Sequence, residues 1–475
     1  MRTIVIGGGI SGLACAYRLR EQGIPVLLLE KVQRIGGVIE SIRKDGFLFD
    51  LGPQSFSPTE LLSELIAALG LKANLLEADA RAARYILVRG QLVSAPLAPP
   101  ALLTTSLLGP RSKWRLLSEP MRRSRPPEGD ESVADFVRRK FGEEVLERLV
   151  GPFVSGVYAG DPEELSLRSA FPAAYRWEKE YGSVIRGAMK SPPGGEKRRR
   201  TLCSFPGGMD TLVRALGEKL GEAVECGVSV ISVSRGKTNG ASQFELQVDV
   251  QGRREHLSAD VVIVATPAYL AGRILRGVSP SFADPLARIT YAPVVVVPAG
   301  YCREQVAHPL RGFGFLVPRG EGLRLLGTIW NSSLFPGRAP EGKVVLTSFA
   351  GGATDREFCQ LDDAQLADRI GQELTGILGI SGAPVARLVH KHANALPQYN
   401  LGHGKITAAL RELVGRVPGL FLTGNYLEGP ALGACIEQGF ETAHSVQRYL
   451  ACRDEGGLPR EPDRNIILGR QGGRG

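Results

Sequence analysis

The chain has 475 residues, a length that favours about three domains, and its 43% hydrophobic and 23% charged residues are ordinary for a globular protein. This composition excludes a wholly disordered chain, a collagen-like fibre and a small disulfide framework. The 59 glycines are in excess, which indicates tight turns and close approach of the backbone to a ligand. The net charge of +9 favours anionic partners, but no nucleic-acid-binding motif is present and we expect no nucleic acid to bind.

The cysteine and histidine spacing argues against a metal site. The seven cysteines are widely spaced without a Cys-x-x-Cys pair, and no two of the six histidines stand at ligand spacing beside an acid. The chain starts directly in a strand-like run, and its longest uncharged stretch, 90–110, contains four prolines. We therefore expect reduced thiols, no metal, no signal peptide, no transmembrane helix and a cytoplasmic protein.

Residues 2–30 predict a strand, a glycine-rich turn, a helix and a second buried strand that ends at Glu30. The turn contains Gly7, Gly8, Gly9, Ile10, Ser11 and Gly12. In a GxGxxG turn the first glycine allows the tight turn, the second lets backbone N–H groups approach a pyrophosphate, and the third packs the helix on the strand. The helix N-terminus favours the negative charge, and the Glu30 carboxylate can accept the ribose hydroxyl protons.

Two further segments favour FAD over NAD. The residues after Glu30 resemble the extended signature of glutathione-reductase-like and amine-oxidase flavoproteins, which wraps the pyrophosphate a second time; they are Lys31, Arg34, Gly36 and Gly37. The strand-like run 47–51 and the turn after it resemble the segment that reaches the isoalloxazine ring in those proteins; the turn contains Gly52, Pro53, Gln54 and Ser55. The alternative is a surface hairpin with ordinary turn glycines.

The C-terminal part predicts a second half of the cofactor site. A short strand, 420–422, leads into a turn with Gly424 and Asn425, and a helix begins near Ala431 and Leu432. In flavoproteins of this type the turn meets the ribityl phosphate and the helix points its N-terminus at the flavin. Cys435, in the first helical turn, has two open interpretations: a thiol of low pKa or a plain buried cysteine.

Five segments are specific to one family: 151–161, 164–166, 312–318, 396–403 and 435–439. With the glycine motifs, they make residues 1–450 similar to the dioxygen-dependent protoporphyrinogen oxidases and their coproporphyrinogen-oxidising relatives. The chain departs from that pattern at Gln54 and at 433–434. This resemblance implies a mixed α/β (α+β) fold: a discontinuous Rossmann-like FAD-binding domain, a mixed-sheet substrate domain and a helical domain that can associate with a membrane.

The same resemblance implies the division of the chain. The FAD-binding domain would comprise 1–79, 203–272 and 408–450, with Val230 as a cofactor contact in its middle part. The substrate domain would comprise 80–95 and 273–407, and the helical domain 96–202. Residues 451–475 are expected to form a disordered tail.

The implied activity is oxidation of protoporphyrinogen IX to protoporphyrin IX in three two-electron steps. Each step would be a hydride transfer to non-covalently bound FAD, which dioxygen reoxidises with release of hydrogen peroxide. Because the cofactor carries the chemistry, we assign no catalytic side chain. Arg84 would pair with a propionate, and the macrocycle would lie against Gly156, Phe313, Gly314 and Leu316. Without the resemblance, Arg84 would be a surface arginine and the apolar residues ordinary core.

Two alternatives remain open for the function. One is oxidation of coproporphyrinogen III to coproporphyrin III, and the other is a non-catalytic, flavin-containing porphyrin carrier. The resemblance is also compatible with a homodimer and with hand-over of the product to a chelatase.

The segment 94–125 suggests peripheral contact with a membrane. Its leucines, among them Leu107 and Leu108, lie near Trp114 and a cluster of basic residues that extends to Arg125. Apolar residues beside basic ones suit an interfacial anchor on an anionic leaflet. The alternative is that the leucines line the core of the helical domain and the arginines solvate its outside.

Overall fold

The computed structural model describes residues 1–96, 99–190, 201–236 and 243–454. Within these residues the strands are β1 Thr3–Ile6, β2 Val26–Glu30, β3 Ser41–Lys44, β4 Phe47–Asp50, β5 Leu76–Glu77, β6 Arg84–Val88, β7 Gln91–Ser94, β8 Cys203–Ser204, β9 Val224–Cys226, β10 Val228–Arg235, β11 Phe244–Val250, β12 Arg253–Ala259, β13 Val261–Val264, β14 Tyr291–Cys302, β15 Gly314–Leu316, β16 Leu325–Ile329, β17 Lys343–Gly351, β18 Ala386–Arg387, β19 His390–Pro397 and β20 Leu420–Leu422.

The α-helices of the described ranges include an uninterrupted series, α3 to α10, between β7 and β8. They are α1 Ile10–Glu21, α2 Glu60–Ala68, α3 Pro99–Thr104, α4 Pro110–Leu117, α5 Val133–Lys140, α6 Glu143–Val145, α7 Gly151–Tyr158, α8 Leu167–Ala170, α9 Pro172–Tyr181, α10 Val184–Lys190, α11 Asp210–Leu220, α12 Ala268–Ile274, α13 Ala283–Ala287, α14 Asn331–Leu334, α15 Asp363–Leu378, α16 His403–Gly415 and α17 Leu432–Asp454. In this part of the chain, no helix has the length and apolar character needed to cross a membrane.

A five-stranded parallel sheet forms the first layer, with the order β20-β13-β1-β2-β9. Its central strands β1 and β13 are short, apolar and buried on both faces, as is usual for a parallel sheet covered by helices. The helices α1 and α17 cross closely, since a Cβ on Gly439 would lie 2.6 Å from the Ser11 carbonyl oxygen. Residues 261–264 form β13 of this parallel sheet, whereas β10 belongs to a separate antiparallel sheet of β10, β11 and β12.

An eight-stranded mixed sheet forms the second layer, with the order β18-β14-β17-β16-β15-β6-β7 and β19 beside β14. All its pairs are antiparallel except β15 with β6. The hairpin β6–β7 therefore joins strands that lie more than two hundred residues later in the chain. One face of this sheet packs on α15. The other face packs, near Ile86, on the helical part of the chain, which comprises α3 to α10.

The helical part is held by a buried network of charges. Lys140, at the end of α5, lies 2.9 Å from Glu119 and 3.5 Å from Glu178, and all three side chains are almost fully buried. Glu119 also accepts the hydroxyl of Ser183 at 2.6 Å, and Glu178 pairs with Arg139 at 2.7 Å. Burial alone would raise the pKa of both glutamates, but hydrogen bonds to the charged forms hold both pKa values below the ordinary value. The network joins three separate chain segments into one unit.

Two expectations from the sequence need correction: the residue at which the disordered tail begins, and the exposure of Leu107 and Leu108. The disordered tail was expected from residue 451, but α17 continues to Asp454, and Arg453 in its last turn lies 3.8 Å from Asp260. Residues 455–475 lie outside the described residues. In the segment 94–125, Leu107 and Leu108 are buried in the core of the helical part, so they are not available to a membrane.

Candidate functional site

The glycine-rich turn is built from contacts that leave no room for side chains, with one exception. Gly7 has a φ of +110°, and a Cβ on Gly12 would lie 2.1 Å from the Gly7 carbonyl oxygen. A Cβ on Gly8 would lie 3.1 Å from the side chain of Glu30. A Cβ on Gly9, in contrast, would meet nothing within 4 Å. The protein itself therefore requires glycine at 7 and 12, whereas the space at Gly9 is free.

The free space at Gly9 fits the pyrophosphate of FAD. Gly9 is the N-cap of α1, in extended conformation, without a side-chain cap and without an acidic residue in the first turn. The first N–H groups of a helix carry partial positive charge and need acceptors. Ile10 and Ser11, the first helical residues, place this helix end directly after the free space. An anion that lies close to the backbone satisfies both requirements.

Glu30 is held in place for an adenosine ribose. One carboxylate oxygen accepts the Gly8 N–H at 2.7 Å and the other accepts the Val32 N–H at 3.0 Å. These two bonds fix the carboxylate at the end of β2, beside the turn. Each oxygen retains acceptor capacity for a ribose hydroxyl, because an ionised carboxylate can accept about four hydrogen bonds.

The segment 31–37 folds back onto the same turn. The Gly36 N–H donates to the Gly8 carbonyl at 2.7 Å, and Gly36 has a φ of +105°. Arg34 donates to the Gly37 carbonyl at 2.7 Å and pairs with Glu40 at 3.1 Å. The Arg34 side chain thus stabilises the loop that contains Gly37. Lys31, at the start of the same segment, is exposed. Arg34 therefore contributes to the cofactor site by fixing the shape of this loop.

The segment 50–54, which we name the flavin loop, follows β4 and is tightly packed. A Cβ on Gly52 would lie 2.1 Å from the Val38 carbonyl oxygen, so glycine is required there. The side-chain amide of Gln54 donates to the carbonyls of Asp50 and Gly52, both at 2.8 Å. Pro53 lies between these residues, and Ser55, directly after the loop, is half-buried. The Gln54 side chain therefore closes the loop on itself.

Three partners of the flavin loop were missed by the sequence reasoning. The guanidinium of Arg338 lies 2.9 Å from the Asp50 carboxylate, with both side chains buried. A ring nitrogen of His392 lies 2.8 Å from the Leu51 carbonyl oxygen. The third partner is Asn331, which donates to Gln54. The only available signal was Asp50 itself, a carboxylate in an apolar strand, which indicates a buried partner but does not identify it.

The C-terminal turn lies next to the start of α17. Gly424 has a φ of +149°, and its N–H points to the Gln438 side chain at 3.4 Å. The Asn425 carbonyl accepts the hydroxyl of Tyr399, which belongs to the segment 396–403. Ala431 is exposed and its carbonyl accepts the Cys435 N–H at 3.0 Å, while Leu432 is buried as the first residue of α17.

Cys435 and Val230, two further residues considered in the sequence analysis, are both buried. Cys435 is buried, and burial raises the pKa of its thiol to about 11 although a hydrogen bond to Ser11 opposes the shift. This favours the plain buried cysteine, since a thiolate does not form near neutral pH at such a pKa. Val230 is buried on β10, next to a register shift against β11, and β10 packs beside β2, the strand that ends in Glu30.

The structure brings the predicted substrate residues together on one face of the mixed sheet. In the parallel pair of β15 and β6, Gly314 lies opposite Arg84 and Leu316 lies opposite Ile86. Paired residues share a face and alternate residues return to it, so these four residues face the same side. Gly156 on α7 adjoins this face, because a Cβ there would lie 2.4 Å from a methyl group of Leu316.

Arg84 provides a positive charge at this face. Its guanidinium carbon lies 5.2 Å from the centre of the Phe313 ring, and within the described residues it makes no ion pair. Partial desolvation lowers the pKa of Arg84 from its ordinary value. Because the Arg84 side chain is exposed and lacks a carboxylate partner among the described residues, its guanidinium is accessible to an anionic group of a ligand.

The helix α7, which adjoins this face, presents an apolar side. Phe153, Gly156 and Val157 occupy one side of α7, at helical spacing, and are exposed. Gly314 has a φ of +141°, and a Cβ on it would lie 2.0 Å from the Thr328 carbonyl oxygen. The arrangement can therefore bind a flat apolar molecule with an acidic substituent. In the described ranges, no cluster of three or more histidine, cysteine or acidic side chains could hold a metal ion.

Comparison with known proteins decides the family. The model of the flavin-containing amine oxidoreductases matches residues 10–447. The chain belongs to this family. This chain is accordingly an FAD-dependent oxidoreductase, as the two cofactor motifs predicted.

Individual members of the family are similar along nearly the whole chain. The chloroplastic protoporphyrinogen oxidase of Oryza sativa subsp. japonica is 35% identical, with 94% of this chain and 88% of that one covered. The coproporphyrinogen III oxidase of Bacillus subtilis (strain 168) is 30% identical, with 94% and 98% covered. A crystal structure from Exiguobacterium sp. 255-15, provisionally described as a protoporphyrinogen oxidase, superimposes with a TM-score of 0.80 at 25% identity, covering 94% and 98%. The predicted mixed α/β fold and family are thereby confirmed.

Proposed function

We propose that this flavoprotein oxidises protoporphyrinogen IX to protoporphyrin IX. The observation that supports the proposal best is the unpaired Arg84 guanidinium beside Phe313, on an otherwise apolar face. A porphyrinogen is a large apolar macrocycle with propionate groups, so it matches both properties of this face. The relatives named for protoporphyrinogen oxidation, at up to 35% identity, point to the same substrate.

The side chains on this face would bind and orient the macrocycle. Arg84 would hold one propionate through paired N–H···O bonds. Phe313 and Leu316 would lie against the pyrrole rings, and Gly156 would leave the space that a larger residue would fill. When bound, FAD supplies the hydride acceptor for oxidation of the methylene bridges. The apolar side of α7 would exclude water from the substrate.

Coproporphyrinogen III is the second candidate substrate, favoured by the similarity to the Bacillus subtilis enzyme. It carries four propionates and would require more than one cation. Arg84 can bind one propionate, and the number of relatives named for protoporphyrinogen oxidation favours the dicarboxylate. A turnover assay that offers each porphyrinogen separately, followed by porphyrin fluorescence, decides between them. Turnover of neither porphyrinogen would contradict the proposal and favour a porphyrin carrier.

The remaining parts of the proposal concern partners. Dioxygen would be the electron acceptor, with hydrogen peroxide as product. Hand-over of the porphyrin to a chelatase and formation of a homodimer are compatible with this activity. A cytoplasmic location follows from the reduced cysteines that the composition predicts.

Peripheral membrane contact would involve α4 and the turn after it. Trp114, Leu117 and Met121 expose 69%, 50% and 71% of their surfaces. Of the neighbouring arginines, Arg115 donates to backbone carbonyls of α5, whereas Arg123 is exposed. Exposed apolar side chains beside free basic ones suit the headgroup region of an anionic membrane.

A further inference from the structure

A chain of buried hydrogen bonds joins the mixed sheet to the flavin loop. The Thr347 hydroxyl on β17 donates to the Asn331 side-chain oxygen at 2.7 Å. The Asn331 amide donates to the Gln54 side-chain oxygen at 2.7 Å, and Gln54 in turn donates to the carbonyls of Asp50 and Gly52. Thr347, Asn331 and Gln54 are all buried. We name these three side chains the relay.

Each side chain of the relay is oriented by its hydrogen bond to the next one. Asn331 uses its amide toward Gln54 and its oxygen toward Thr347, so it has one orientation only. Buried polar groups cost free energy when they are unpaired, and linked hydrogen bonds in a dry interior strengthen one another. The relay therefore holds Gln54, and with it the flavin loop, in a single arrangement.

The relay also touches the segment that carries the substrate residues. The backbone N–H of Trp330, the residue before Asn331, donates to the Phe313 carbonyl at 2.9 Å. Phe313 lies beside Arg84 and directly precedes Gly314 on the substrate face. A displacement of the Phe313 segment thus reaches Asn331 through one backbone hydrogen bond. The described structure contains a short, continuous path from the substrate face to the flavin loop.

We propose that Asn331 is a positioning residue that couples the substrate face to the flavin loop through Gln54 and Thr347. The proposal rests on the placement of FAD along the flavin loop. Asn331 need not touch either ligand, because its effect is transmitted by the orientation of Gln54. The coupling predicts that occupation of the substrate face increases the affinity for FAD and, by linkage, the reverse.

The test uses Thr347→Val, which removes the hydroxyl and preserves the shape of the side chain. The dissociation constant of FAD is measured on the apoprotein by equilibrium dialysis, with and without protoporphyrin IX. Loss of one buried hydrogen bond is expected to weaken FAD binding about twofold to tenfold. The ratio of the two FAD dissociation constants, with and without protoporphyrin IX, is expected to fall toward one. Thr347→Ser, which keeps the hydroxyl, is expected to restore both values.

Thr328→Val is the matched control in the same sheet. The Thr328 hydroxyl contacts the Ser348 hydroxyl at 3.1 Å, in a buried position one register step from the relay and without a link to Gln54. A purely structural effect would lower the melting temperature in both variants and leave FAD binding unchanged in both. The proposal requires that only Thr347→Val changes the FAD dissociation constant.

Two results separate failure of this proposal from failure of the FAD placement. If Thr347→Val binds FAD as tightly as the wild type while Gly9→Val does not bind it, the relay proposal is overturned and the cofactor site stands. If Gly9→Val retains wild-type affinity, the placement of FAD is wrong, and the coupling through Asn331 is overturned with it.

Discussion

The guanidinium of Arg84 lies 5.2 Å from the centre of the Phe313 ring and has no carboxylate partner among the described residues. The parallel pairing of β6 and β15 sets this relationship, since it places Arg84 opposite Gly314. A charge that the fold leaves unneutralised beside an aromatic ring is the most specific feature of the substrate face.

Arg84→Ala should weaken porphyrinogen binding by about 1.5–3 kcal/mol, the range for a hydrogen bond to a charged group. The effect should appear mainly as a higher KM, with the flavin content unchanged, because Arg84 lies away from the glycine-rich turn. Arg253→Ala, which removes an exposed charge from β12, is the control. An unchanged KM in Arg84→Ala would assign Arg84 to the solvated surface.

Gly9→Val should abolish FAD binding without unfolding the protein. The backbone at Gly9 has φ −70° and ψ 171°, which other residues adopt readily, and the space beside it is free. The valine would occupy the volume assigned to the pyrophosphate. The absorbance of bound flavin after gel filtration measures the loss, and circular dichroism checks the fold. Wild-type flavin content in this variant would show that the turn does not hold FAD.

Lys140→Met should lower the free energy of unfolding by about 3–5 kcal/mol, because it leaves the buried carboxylate of Glu119 without its cation. Glu178 also loses Lys140, at 3.5 Å, but keeps its ion pair with Arg139 at 2.7 Å. Arg138→Met breaks exposed ion pairs and should cost about 0.2–1 kcal/mol. Urea unfolding measures both variants. Equal effects would mean that the buried network adds nothing to the stability of the helical part.

His403 should make the protein less stable as the pH falls. Burial lowers the pKa of His403 to about 4, from an ordinary value near 6.5. Below pH 6.5 the unfolded chain binds this proton first, so stability decreases progressively between pH 6.5 and about 4, by up to about 3 kcal/mol. The difference between wild type and His403→Gln, measured by urea unfolding at several pH values, isolates this group. Parallel curves would contradict the assignment.

The exposed apolar residues of α4 should bind to anionic vesicles. The double variant Trp114→Ser, Leu117→Ser should sediment less with phosphatidylserine-containing vesicles at low salt than the wild type. Val385→Ser, on an exposed position of the substrate part, should sediment like the wild type. High salt should release the wild type in part, since basic residues contribute. A wild-type protein that stays in the supernatant at low salt would exclude this contact.

The sequence allows good prediction of the cofactor half of the molecule, because its signals are local. The strand, turn and helix of residues 2–30 carry their own periodicity and glycines, and the same holds for β20 and α17. The pairing of Arg84 with Gly314 has no local signal, since the two residues are far apart in sequence, and it was not predicted. Only the assignment of each residue to the substrate was predicted, and it depended on family resemblance.

Buried polar contacts between distant segments could not be predicted. Lys140 reads as one of several basic residues at the end of an amphipathic helix, and nothing nearby in sequence shows that Glu119 and Glu178 surround it. Asn331 reads as an ordinary polar residue after a strand. Its role depends on the approach of Gln54, 277 residues earlier. Such contacts arise only when distant segments of the chain pack together.

Oxidation of a porphyrinogen by the FAD of this chain can be observed by mixing the holoprotein with protoporphyrinogen IX in the absence of oxygen and recording the flavin absorbance together with porphyrin fluorescence. We expect the flavin absorbance to bleach, and we expect admission of oxygen to restore it while porphyrin fluorescence rises. A flavin that stays oxidised with protoporphyrinogen IX, and equally with coproporphyrinogen III, would show that this chain does not oxidise a porphyrinogen.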